Sequence, residues 1–137
     1  MTSVNGQGST SQTTELVRIE GQPKKGPDLP VAVHYHAITS FNSTTSILSG
    51  GQTTLSANSR LTWFFNHDTQ VFTTGPSLLE GRRALGSATV VDKVTQEKIP
   101  IVSGGQGSGY VKLDSTELLI EGQWQSGTTQ CKIVICF

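Results

Sequence analysis

The sequence predicts an all-β protein, an antiparallel β-sandwich of jelly-roll or lectin-like type with about nine short strands. Three observations predict it. Apolar residues recur at a period of two in several short runs. Clusters of glycine, proline and small polar residues interrupt those runs at close intervals. One stretch alone, residues 77–85, allows a helix, of one or two turns at most.

Length and composition narrow the class further. A chain of 137 residues favours a polar, flexible N-terminal arm over residues 1–14, followed by a single sandwich domain over residues 15–137. Charged residues make up 15% of the chain, below the roughly 25% of an average soluble domain. Hydroxyl and amide side chains replace them, a surface common among extracellular, capsid and fibre-like β proteins. Ten basic and ten acidic residues cancel without forming a run. That balance speaks against a nucleic-acid partner held by phosphate neutralisation and against a polybasic membrane contact. No apolar run approaches the roughly 18 residues of a membrane span. The first residues show no basic region followed by an apolar one, so no secretory signal is expected.

Taken in order, residues 15–20 (ELVRIE) read as a short strand and residues 21–30 as a proline-rich loop. Residues 29–41 (LPVAVHYHAITSF) read as one long strand, the element around which the others are expected to assemble. Leu29, Val31, Val33, Tyr35, Ala37 and Phe41 fall on its core side, and His34, His36 and Ile38 on the other. After a turn at Gly50 and Gly51, residues 53–65 alternate again, with Leu55, Ala57, Leu61, Trp63 and Phe65 in phase. Asn66, His67 and Asp68 break that run, and residues 70–74 (QVFTT) form the next. Residues 87–94 and 98–102 read as a hairpin turning within 92–97, with Pro100 placing the second arm at a sheet edge or bulge. Residues 103–109 (SGGQGSG) read as a flexible loop. Strands over 110–113, 117–124 and 130–137 close the chain. The triplet GGQ occurs at 50–52 and again at 104–106, too short a match to establish a repeat, and no self-similarity of 20–50 residues supports a propeller or trefoil.

Cys131 and Cys136 lie five residues apart on the last expected strand. At roughly 3.3 Å per residue they are too far apart to bridge each other. Unbridged thiols point to a reducing compartment such as the cytoplasm, or to a virion.

Four groups of residues could carry function. His34 and His36, at i and i+2 of a strand, could share a metal with His67. Trp124, flanked by Gln123 and Gln125, offers an aromatic face and two amides of the kind that hold a sugar. Asn66, His67 and Asp68, beside Trp63, offer a second such set. Residues 80–83 (EGRR) form a charge cluster, read as a solvated turn. No GxSxG is present, residues 103–109 lack the Lys-Ser/Thr of a phosphate loop, and the carboxylates are scattered. The reading is a non-enzymatic binding module that recognises carbohydrate through loop aromatics and amides and needs no cofactor. A self-assembling capsid, spike or shell component is the alternative, a homo-oligomer in which arm and last strand make the contacts. A metal-dependent enzyme using the HxH strand ranks third.

Overall fold

The computed structural model describes residues 11–17, 20–53 and 58–127. Cys131, Cys136, the strand expected over 130–137 and most of the expected arm lie outside these residues. The expected all-β architecture is found, with more strands than the nine or so anticipated. Twelve occur among the described residues: β1 (Glu15–Leu16), β2 (Lys24–Lys25), β3 (Val33–His34), β4 (Ala37–Ser40), β5 (Thr45–Ser49), β6 (Gln52–Thr53), β7 (Thr62–Asn66), β8 (Val71–Thr74), β9 (Gly86–Val91), β10 (Lys98–Ser103), β11 (Thr116–Ile120) and β12 (Gln123–Ser126). Among the described residues the one helical element is a single 3-10 turn at Ser108–Tyr110.

Two four-stranded antiparallel sheets form the sandwich, ordered β4-β5-β7-β8 and β12-β11-β10-β9. Between them lie Ile47, Leu78, Val102, Leu119 and Trp124, with Phe41, Phe64 and Leu85 packed around the margin. The first sheet is covered on its other face too. There Leu48 and Trp63, a cross-strand pair, meet Leu29, Val33, Val31 and Phe72. Burial on both faces explains why Ser46, Ile47, Leu48 and Ser49 are all buried, where a half-exposed strand would alternate. The segment around Leu29 is held in turn by residues 11–14: Leu29 N donates to Gln12 O at 2.7 Å and Gly26 N to Thr14 O at 2.9 Å.

Several expectations are corrected. The long strand over 29–41 is broken at Tyr35, whose φ of 56° lies in the left-handed region. β3 therefore pairs with β6 in a small sheet of its own, while β4 joins β5. Val33 is fully buried as expected, but Tyr35 turns out to solvent at 58% exposure. The strand over 117–124 is likewise divided. Glu121 (φ 51°) and Gly122 (φ 74°) form a two-residue hairpin turn of the positive-φ kind that matches strand twist.

No helix forms over 77–85. Its backbone donors go elsewhere: Leu78 N to Arg60 O at 2.7 Å, Glu80 N to the Glu117 carboxylate at 3.4 Å and Arg82 N to Ser59 O at 3.3 Å. Gly81 is pressed so closely on Asn58 that an added Cβ would lie 2.6 Å from its carbonyl oxygen. The 86–103 hairpin forms as expected, turned by Asp92, whose Oδ1 accepts from Val94 N and Thr95 N. Those backbone donors, Thr95's first, hold the Asp92 carboxyl below the usual range. Pro100 does not mark a sheet edge or bulge as expected: β10 is an interior strand, and Pro100 pairs with Thr89 in β9 but lies just beyond the residues that pair with β11, where its missing N–H disturbs only one side.

The two sheets share a plan that the sequence reading missed. Residues 47–52 read ILSGGQ and residues 101–106 read IVSGGQ. Each segment leaves the second strand of its sheet through two left-handed glycines, Gly50 and Gly51 at φ 67° and 95°, Gly104 and Gly105 at φ 64° and 90°. Each glutamine then bridges back to a residue just before the first strand of its sheet, Gln52 to His34 and Gln106 to Arg83. The residue after that partner is left-handed in both cases, Tyr35 at 56° and Ala84 at 50°. Within the described residues the chain thus contains two copies of one backbone motif, each carrying the segment ILSGGQ or IVSGGQ.

Candidate functional site

The two copies of the motif meet at the end of the sandwich where the glycine pairs leave β5 and β10. Ala84 N donates to Tyr35 O at 2.8 Å, joining the equivalent left-handed residues directly. Arg83 and Gln106 exchange two backbone hydrogen bonds, of 3.0 and 2.9 Å. The Arg83 guanidinium is held by both repeated glutamines: Nε donates to Gln106 Oε1 at 3.2 Å and Nη1 to Gln52 Oε1. It lies over the Tyr110 ring, 4.4 Å from the centroid. Around it opens a cleft of about 480 Å³ lined by Tyr35, Arg83, Ala84, Gly105, Gln106 and Tyr110.

The walls of this cleft are built, not loose. Residues 103–109, expected to be a flexible loop, make a defined set of bonds: Gly104 N to Ser115 O at 3.1 Å, Leu113 N to Gly105 O at 2.9 Å and Gly107 N to Val111 O at 2.8 Å. Three non-glycine lining residues hold left-handed backbone angles, Tyr35, Ala84 and Tyr110 (φ 62°). Each such residue costs roughly 1–3 kcal/mol, so the surrounding bonds must over-determine them. The result is two tyrosine rings, 58% and 72% exposed, presented at set positions.

Adjacent arginines take opposite roles. Arg82, expected in a solvated turn, is fully buried. Its Nη1 donates to Gly104 O at 2.9 Å and Ser115 O at 3.0 Å, and its Nη2 to Ser115 Oγ and Glu117 Oε2, both at 2.9 Å. Glu117, 3% exposed at its side chain, and the more distant Glu80 at 3.6 Å balance its charge. Arg82 is the post on which the cleft stands, while Arg83 lines the cleft itself.

The residues singled out from the sequence lie elsewhere. Trp124 is buried in the inter-sheet core at 4% exposure, so its ring faces meet other side chains, and Gln123 and Gln125 point outward on either side of it. Asn66, His67 and Asp68 form the β7–β8 turn, at the opposite end of β7 from the cleft. There the Asn66 Oδ1 accepts from Asp68 N and Thr69 N, both at 2.9 Å, and His67 Nε2 meets Ser46 Oγ at 2.8 Å. The expected metal set is not assembled, since no group of three or more His, Cys, Asp or Glu side chains among the described residues could hold a metal ion. The signal that could have found the cleft was the repeated GGQ taken together with the paired arginines.

His36 has a separate consequence. Burial, with the neighbouring His34 adding to it, lowers its pKa from 6.5. The unfolded chain therefore binds more protons than the folded one once pH falls to about 6.5. Stability is full above that value and falls as pH drops toward the lowered folded pKa. Urea unfolding from pH 8 to 5 checks this, and His36→Gln should flatten the acid side of the profile. An unchanged profile in that variant would remove His36 as the cause.

Comparison with protein-family models and with curated proteins finds no match for this sequence. Fold and cleft together define a class: a β-sandwich whose two sheets carry the same motif, with an arginine-centred aromatic cleft where the two copies meet. No helix among the described residues is long and apolar enough to cross a membrane.

Proposed function

We propose that this protein is a non-catalytic binding module that recognises a saccharide in the Tyr35–Arg83–Tyr110 cleft. The observation that carries the reading is the pair of exposed tyrosines, held at left-handed backbone angles, that line one cleft with an anchored guanidinium. Arg83 covers one face of Tyr110, and the rest of that exposed ring suits the apolar face of a pyranose, while a phenol also offers a polar edge to its hydroxyls. The Gln106 amide adds donors and acceptors of the kind that fix a ligand's orientation. This moves the carbohydrate site expected at Trp124 to a different end of the same fold.

The test is retention on immobilised glycans, with elution by the free sugar. Tyr110→Ala and Tyr35→Ala should each weaken binding about 3- to 10-fold, as loss of one stacking face implies. Both side chains are exposed, so thermal stability should change little. A wild-type protein that binds no saccharide across a broad array would sink the proposal, as would tyrosine variants that bind like wild type.

Self-assembly into a shell is the second reading. Strand β8 lies at the outer edge of its sheet among the described strands, with Val71 51% exposed, and such an edge can pair with another chain. Light scattering that gives a mass far above the 14.6 kDa of one chain would favour it.

A further inference from the structure

We infer that the saccharide carries a carboxylate and that Arg83 is the group that reads it; the inference rests on the saccharide reading of the cleft. The argument is one of unspent donors and unbalanced charge. A guanidinium has five N–H groups in a planar fork. Arg83 uses one Nε and one Nη1 donor on neutral glutamine oxygens, and among the described residues its Nη2 has no hydrogen-bond partner. Nor does Arg83 form an ion pair there. The nearby carboxylates, Glu117 and Glu80, are both committed to Arg82.

No acidic side chain lines the cleft, so its one formal charge is positive. Two neutral amides that grip Nε and Nη1, with Tyr110 beneath the plane, orient the fork without neutralising it. A planar, bidentate anion is what such a fork selects. The repeat supports the assignment by contrast. At the equivalent position of the first motif stands His34, whose Nδ1 is buried. Only the second copy of the motif puts a permanent charge in the cleft.

The experiment is a calorimetric titration of the full chain with oligosaccharides in four forms: one ending in a uronic or nonulosonic acid, its methyl ester, a sulfated analogue and the neutral parent. The acid should bind about 10- to 100-fold more tightly than its ester, the range that a charge-assisted hydrogen-bond pair commands. Arg83→Gln should abolish that preference, and Arg83→Lys should keep part of it. Circular dichroism melts of both variants establish that they fold. Equal binding of acid and ester would overturn the carboxylate assignment and leave the saccharide reading standing, and so would binding of the sulfated form alone. Failure of all four forms to bind would overturn both.

Discussion

Truncating Glu117 to alanine will lower the free energy of unfolding by about 3–5 kcal/mol, the cost of leaving a buried charge without its partner. Typical domains are stable by only about 5–15 kcal/mol, so this single change should bring the protein close to its unfolding threshold. The reason lies in what would remain. Arg82 has no exposed surface, and its Nη2 would keep only Ser115 Oγ and the more distant Glu80 carboxylate. Its Nε already lacks a partner, so the site has no spare acceptor to offer. The backbone N–H groups of Leu79 and Glu80, which Glu117 also accepts, would be released together.

Two controls separate charge from packing. Glu80→Ala, at a side chain 48% exposed, should cost about 1 kcal/mol or less. The double variant Arg82→Met with Glu117→Met removes both charges and should be less damaging than Glu117→Ala alone. Urea unfolding midpoints measure all three. An E117A protein within about 1 kcal/mol of wild type would mean that water reaches Arg82 and that the pair is not the post described above.

How much of this was legible in the sequence depends on the range of the interaction. Some local patterns held. The alternation that put Trp63 and Phe65 in phase is realised, with Phe65 4.7 Å from Phe72 across the hairpin. The hairpin expected over 87–94 and 98–102 forms with its turn where the sequence put it, and Asp92 Oδ1 holds that turn by accepting from Val94 N and Thr95 N. The failures were of two kinds. Tyr35 and Glu121 adopt backbone angles that their residue types rarely take, so period-two counting ran straight through both turns.

The candidate site failed for a different reason. Arg83 meets Gln52 and Gln106 across 31 and 23 residues of chain. Nothing local distinguishes it from Arg82, yet one lines a cleft and the other is fully buried. Trp124 misled in the opposite direction. A tryptophan among glutamines looks exposed, but on a strand the flanking glutamines take one face and leave the ring to the core.

The repeated glycines supply the second large effect. Gly105→Ala should destabilise the protein by roughly 3 kcal/mol or more and abolish ligand binding in the cleft. Two costs add. A left-handed backbone disfavours any Cβ by about 1–2 kcal/mol. Here φ is 90°, and the new Cβ would also lie 2.5 Å from the Arg83 carbonyl oxygen and 3.2 Å from the Leu85 Cα. Those are backbone atoms, which cannot rotate aside as a side chain would. Relief requires the Arg83 backbone to move, which breaks its paired bonds to Gln106 and lifts the guanidinium from Tyr110.

Gly109 and Gly122 isolate the first cost, since both are left-handed (φ 66° and 74°) with nothing within 4 Å of an added Cβ. Alanine at either should cost only that left-handed term, about 1–2 kcal/mol, and Gly122→Ala should leave the cleft intact. Gly51, the counterpart in the first motif, would put its Cβ 2.8 Å from the His34 carbonyl oxygen. Gly51→Ala should therefore match Gly105→Ala in stability. Thermal melts and ligand titration of the four variants test the duplicated motif and its asymmetry at once. If Gly105→Ala proves no worse than Gly109→Ala, the close approach at Arg83 is not what holds the cleft in shape.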